Sequence, residues 1–99
     1  MSSQSITLIA TMKARSGKEE LVKEVLLSLI SPTRAEKGCV TYILHQDCDD
    51  KSLFMFYETW TSKESLDEHL KTPHLKDLLD RSDELFAAPL EIKFYNKLC

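Results

Sequence analysis

The sequence predicts an α+β fold in which helices cover one face of an antiparallel sheet. Three observations carry this reading. Four segments alternate along the chain with a period of two, as strands do. Between them, apolar residues recur every three or four positions, as on a helix face. The middle two strands are joined only by the turn-forming stretch Asp47-Cys-Asp-Asp-Lys-Ser52, which reads as a hairpin tip. The resulting order, βαββαβ, is ferredoxin-like.

Ser5 to Lys13 makes the first strand, with Ile6, Leu8, Ala10 and Met12 on one face and Thr7, Ile9 and Thr11 on the other. Ala-Arg-Ser-Gly then turns the chain. Ser16 and Glu19 have the spacing of a capping box, in which the Ser oxygen accepts an N–H of the first helical turn. Leu21, Val22, Val25, Leu26, Leu29 and Ile30 form one apolar stripe. Pro32 interrupts it, so the helix kinks or restarts and runs on to Glu36. Gly38 is a natural helix stop. Cys39 to about Asp47 is the second strand, with Val40, Tyr42 and Leu44 on one face.

The third strand carries Phe54, Phe56, Glu58 and Trp60 on one face and Leu53, Met55 and Tyr57 on the other. Thr61 or Ser62 caps the helix that follows, which holds Leu66, His69 and Leu70 on one side. Thr72-Pro73 reads as the N-cap and first position of a further helix carrying Leu75, Leu78 and Leu79. Pro89 ends the helical region, and Leu90 to Lys97 is the last strand, with Leu90, Ile92 and Phe94 inward.

Both faces of the third strand are apolar, yet helices cover only one side of such a sheet. The simplest cover for Leu53, Met55 and Tyr57 is a second copy of the chain, which predicts a homodimer with an isologous interface. The 99 residues read as one domain, 1–99. A net charge of −3 offers no basic patch for nucleic acid. No apolar run approaches the ~20 residues of a membrane span, and Met1 to Ser5 shows no export signal. Cys39, Cys48 and Cys99 are odd in number and far apart, which fits free thiols in a reducing cytoplasm.

Candidate site residues cluster from the third strand onward. Glu58 is a carboxylate aimed into an aromatic face, where it serves acid–base chemistry, orients a histidine, or forms a structural ion pair. Trp60 is a core residue or a wall for an aromatic ligand, and Phe54, Phe56 and Tyr42 are its companions. His69 faces the sheet as a general base or as a buried, hydrogen-bonded side chain. His74 stands at a helix N-terminus, where the dipole disfavours its charged form. His69 and His74 are five apart across a proline and lack the i, i+4 spacing of helical metal sites, so no metal is expected. A Gly-rich nucleotide loop is also lacking, which argues against a bound dinucleotide and says little about flavin.

The block Glu58-Thr-Trp60-Thr-Ser62, Leu66 and His69-Leu-Lys-Thr-Pro-His74 resembles the antibiotic biosynthesis monooxygenase (ABM) family. Gly38-Cys39 with Tyr42, and Thr-Met-Lys-Ala-Arg-Ser-Gly-Lys after the first strand, match the same pattern. The resemblance spans nearly the whole chain and implies a dimeric α/β barrel of two ferredoxin-like subunits. Within it the chain looks most like bacterial quinol monooxygenases, which oxidise phenolic substrates with O₂ and no cofactor. That implies catalytic roles for His69, Glu58 and His74, and substrate contacts from Trp60, Phe56, Tyr42 and Phe54. An isomerase of a small carbonyl compound shares the paired histidines, and a non-catalytic binding module shares the fold. The haem-degrading branch is a poor match, since the only Asn is Asn96 and the only Trp is on a strand. Where the anthrone oxygenases place an Asn before the strand Trp, this chain has Phe56.

Overall fold

The computed structural model describes residues 5–99. Residues 1–4, most of the stretch read above as free of an export signal, lie outside that description. The elements are β1 (Ile6–Lys13), α1 (Glu19–Ser28), α2 (Ile30–Arg34), β2 (Cys39–Gln46), β3 (Leu53–Trp60), α3 (Lys63–Leu70), α4 (Pro73–Asp80), α5 (Ser82–Leu85) and β4 (Glu91–Tyr95). The strands form one antiparallel sheet in the order β2-β3-β1-β4, which is the ferredoxin-like arrangement. No helix among the described residues is long and apolar enough to cross a membrane.

The alternation read in β1 and β3 sets the core. Leu8, Ala10 and Met12 pair across the sheet with Glu58, Phe56 and Phe54, and all six are buried against the helices. Val22, Leu26 and Leu29 of the first helical region close over them, with Leu66, Leu75, Leu78 and Leu85 from the second. α3 begins at Ser62, whose oxygen accepts the Ser65 N–H, and α4 begins at Thr72 with Pro73 in its first turn. Pro32 is accommodated by a restart, with α2 following α1 after Leu29.

Four local expectations are corrected. The capping box does not form: α1 starts later, behind Lys18, without a side-chain cap, and Gly17 at φ +85° turns the chain instead. Gly38 is not a left-handed helix stop. Its role is close approach, since a Cβ there would collide with Ser65 and lie 3.0 Å from Thr61 Oγ1. Val40 does not join Tyr42 and Leu44. A bulge between Cys39 and Thr41 leaves Val40 unpaired and exposed, and Cys39 packs inward in its place. Finally, the helices end at Leu85, well before Pro89, and β4 is shorter than Leu90–Lys97. Its inward residues Ile92 and Phe94 lie beside Ala10 and Leu8 but stay 42% and 58% exposed, as the rim of an opening.

Candidate active site

The opening leads to an apolar cavity between the sheet and α3–α4. Tyr42 and Phe56, stacked with centroids 4.4 Å apart, line it together with Ala10, Leu75, Glu58 and His69. Its enclosed volume is about 70 Å³. A cavity of roughly 150 Å³ holds benzene, so an aromatic ring would enter only in part and extend through the Ile92–Phe94 rim.

His69 sits at the polar end. Its position on α3 follows from helical spacing, since Leu66 one turn earlier is buried on the same side. The ring is held between Trp60, with centroids 4.4 Å apart, and the edge of Tyr42 at 5.6 Å. Its Nδ1 lies 2.8 Å from Glu36 Oε2, and His74 Nε2 lies 2.8 Å from the same oxygen. A carboxylate oxygen only accepts, so both rings present an N–H to Glu36. Nε2 of His69 then carries the lone pair and is the nitrogen left for the cavity that His69 lines. Burial lowers the His69 pKa, and the bond and charge of Glu36 oppose that shift. The balance leaves a neutral imidazole at neutral pH, the form a general base needs.

Glu58 does not stand behind His69. Its Oε1 accepts the indole N–H of Trp60 at 2.8 Å, while the partner of the histidines is Glu36. Burial pushes the Glu58 pKa up to about 7, the Trp60 N–H restrains the rise, and the charge of Glu36 adds to it. Burial likewise raises the Tyr42 phenol, reinforced by Glu58. Trp60 and Phe54 are fully buried behind the cavity and do not line it. His74 reaches the trio because Thr72-Pro73 breaks the helix, while Thr72 Oγ1 donates to the His69 carbonyl and sits 3.2 Å from His74 Nε2.

The sequence reading missed Glu36. It lies 33 residues before His69, in the corner after α2, with no periodicity to mark it. The signal available was chemical: a buried histidine needs a partner for its N–H. The nearness to Gly38, where α3 packs against bare backbone, explains how the corner brings Glu36 within reach.

The chain is thus a ferredoxin-like sheet protein with a carboxylate-held histidine beside an apolar cavity. The chain belongs to the antibiotic biosynthesis monooxygenase family, whose model matches residues 5–81. It is 32% identical over 90 residues to the uncharacterised protein sll1783 of Synechocystis, covering 91% of this chain and 61% of that one. Thus it spans less than two thirds of that relative's length. Rv0793 of Mycobacterium tuberculosis, whose name as a monooxygenase is provisional, is 32% identical over 87 residues, or 88% of this chain and 85% of that protein. The solved structure of Rv0793 superposes with a TM-score of 0.90 over 97% of each chain, at 28% identity in the superposition. The crystal structure of PA3566 from Pseudomonas aeruginosa superposes with a TM-score of 0.93, covering 100% of this chain and 99% of that one, at 34% identity.

Proposed function

We propose that the protein is a homodimeric monooxygenase that oxidises a quinol or similar small phenol with O₂, without a cofactor. The observation that carries this is the Glu36–His69 pair: Glu36 engages Nδ1 of a histidine that lines the apolar cavity, which leaves Nε2 to act as the base. Family membership and the provisional name of Rv0793 support the reaction class.

His69 takes the phenolic proton, and Glu36 stabilises the imidazolium that forms. The phenolate is electron-rich enough to give one electron to O₂. Superoxide and the semiquinone radical recombine at the adjacent ring carbon, and the hydroperoxide loses water to leave a carbonyl. The sum is quinol plus O₂ giving hydroxyquinone plus water. The substrate supplies all four electrons, two for the oxygen it keeps and two for the water. Tyr42 and Phe56 hold the ring and exclude solvent. His74 is a positioning residue that fixes Glu36 from the other side.

The dimer would be formed by the outer sheet face. There Ile43 and Tyr57 are exposed, and Ile9, Leu53 and Met55 are half-buried, which is a continuous apolar surface to cover. We place the protein in the cytoplasm, where Cys39, Cys48 and Cys99 stay reduced.

An oxygen electrode tests the reading. With a reduced quinol, purified protein should take up O₂ above the autoxidation rate. His69→Ala should lower turnover by at least ~10²-fold. Glu36→Gln should reduce turnover and shift its pH profile to lower pH, because imidazolium loses its carboxylate neighbour. Uptake no faster than background across a quinol panel would refute the oxygenase. Equal turnover of a small hydroxyketone with and without O₂ would establish an isomerase in its place.

A further inference from the structure

Glu36, His69 and His74 offer one carboxylate oxygen and two imidazole nitrogens, all within 4.8 Å of one another. We infer that this trio binds a divalent transition-metal ion of the zinc type, and that the ion and the general base exclude each other.

The donor set is that of a three-ligand zinc site, two His nitrogens and a carboxylate, with a fourth position for water. The spacing is close to what an ion needs. Glu36 Oε2 is 2.8 Å from each ring nitrogen. Around a tetrahedral ion with bonds of about 2.0–2.1 Å, ligand atoms stand about 3.3 Å apart. Each contact to Glu36 therefore opens by roughly half an ångström, and the two ring nitrogens, within 4.8 Å of each other, move to the same spacing by side-chain rotation. The supporting shell is in place, because the His69 ring is held by Trp60 and Tyr42, and Thr72 Oγ1 adjoins His74. There is also an entry path. A surface groove lined by Glu36, Glu64, Glu68 and Lys37 reaches the trio at Glu36. Three carboxylates against one ammonium favour a cation there.

The exclusion follows from imidazole chemistry. A neutral ring has one proton for two nitrogens. In the metal-free protein Nδ1 of His69 carries it and Nε2 is free to accept. An ion on Nδ1 takes that lone pair, so the proton must sit on Nε2. The cavity then meets an N–H donor where it needs an acceptor. The only bonds of the protein that change are N–H bonds: each ring gives the proton on its ligating nitrogen to solvent and takes one on the other nitrogen; no electron moves, and the ion comes from solvent and leaves to it. This second half rests on the proposed role of His69 as base, whereas the binding half does not.

The test uses Co²⁺ and Zn²⁺ on protein carrying Cys48→Ser and Cys99→Ser, which removes the two exposed thiols as competing ligands. One equivalent of Co²⁺ should bind with visible ligand-field absorption, and Zn²⁺ should displace it and raise the melting temperature. His74→Ala and Glu36→Gln should each weaken binding by at least ~10-fold, while circular dichroism shows both variants folded. Failure to bind either ion at millimolar concentration, or binding that both variants leave unchanged, overturns the site and leaves a purely hydrogen-bonded trio. Zn²⁺ should also suppress quinol-dependent O₂ uptake, and a chelator should restore it. Stoichiometric Zn²⁺ lost in both variants but without effect on turnover overturns the exclusion and the role of His69 as base, and leaves the metal site standing. No O₂ uptake in metal-free protein, with Zn²⁺ bound as expected, refutes the oxygenase and supports the site.

Discussion

Glu58→Gln should make the protein more stable at alkaline pH and leave it unchanged in acid. Glu58 is buried, and among the described residues its side chain takes a single hydrogen bond, from Trp60 Nε1. Its pKa is pushed from 4.5 to about 7 by burial, against the pull of the indole N–H. Between those values the folded protein binds more protons than the unfolded chain, so stability falls as pH rises through the window. At about 1.4 kcal/mol per pKa unit, the loss completed above pH ~7 is about 3 kcal/mol. Gln keeps an oxygen for Trp60 and has no charge to bury. Urea unfolding of both proteins at one protein concentration should give equal free energies near pH 4 and a gap of about 3 kcal/mol in favour of the variant at pH 8. His69 produces the opposite slope, because its lowered pKa makes stability fall as pH drops below its unfolded value. That slope is common to both proteins, since Glu58 is not among the charges that shift His69. The difference between wild type and variant therefore isolates Glu58. A gap that is the same at pH 4 and pH 8 would refute the reasoning and mean that Glu58 ionises as freely in the folded protein as in the unfolded chain.

Two further outcomes are expected. Gly38→Ala forces a methyl against Ser65 on α3, an overpacking cost of about 1–3 kcal/mol. A melting temperature within a degree of wild type would show that the corner yields freely. Wild type should be a dimer at micromolar concentration by light scattering, and Tyr57→Asp, which puts a charge into the proposed interface, should give a monomer or unfold it. A wild-type monomer throughout that range would remove the basis for the interface.

The parts of the fold that could be read in advance were those where one local cause acts alone. β3 alternates strictly because Phe54, Phe56 and Trp60 must meet the helices. α4 starts where Thr72-Pro73 demands. Where two local signals competed, the reading failed. Ser16 and Glu19 have capping spacing, but Gly17 between them takes the positive φ that carries the chain around the turn. At the site, strand phase correctly turned Glu58 and Trp60 inward, and helix phase turned His69 inward. Which carboxylate serves His69 was not legible. Glu58 looked the better partner because it is near in sequence, yet Trp60 beside it takes its Oε1. Glu36 wins through a corner-to-corner contact across 33 residues, a distance relation with no expression in local pattern.

The bulge at Val40 bears on how this chain tolerates changes of length. Tyr42 points inward only because one residue is skipped between Cys39 and Thr41; parity is broken once and then kept. Deleting Val40 would remove the bulge and keep both ends in phase, with Cys39 still opposite Trp60 and Tyr42 still opposite Glu58. Deleting a residue of the paired stretch beyond it, such as Ile43, forces a choice: either Tyr42 keeps its place against Phe56 and the strand after it turns over, or the far end stays and Tyr42 turns out of the cavity. An added residue poses the same choice in reverse. Insertions and deletions are thereby confined to places where no phase is carried, above all the hairpin tip at 47–52, where Asp47 Oδ2 accepts the Asp49 and Asp50 N–H groups within the turn itself.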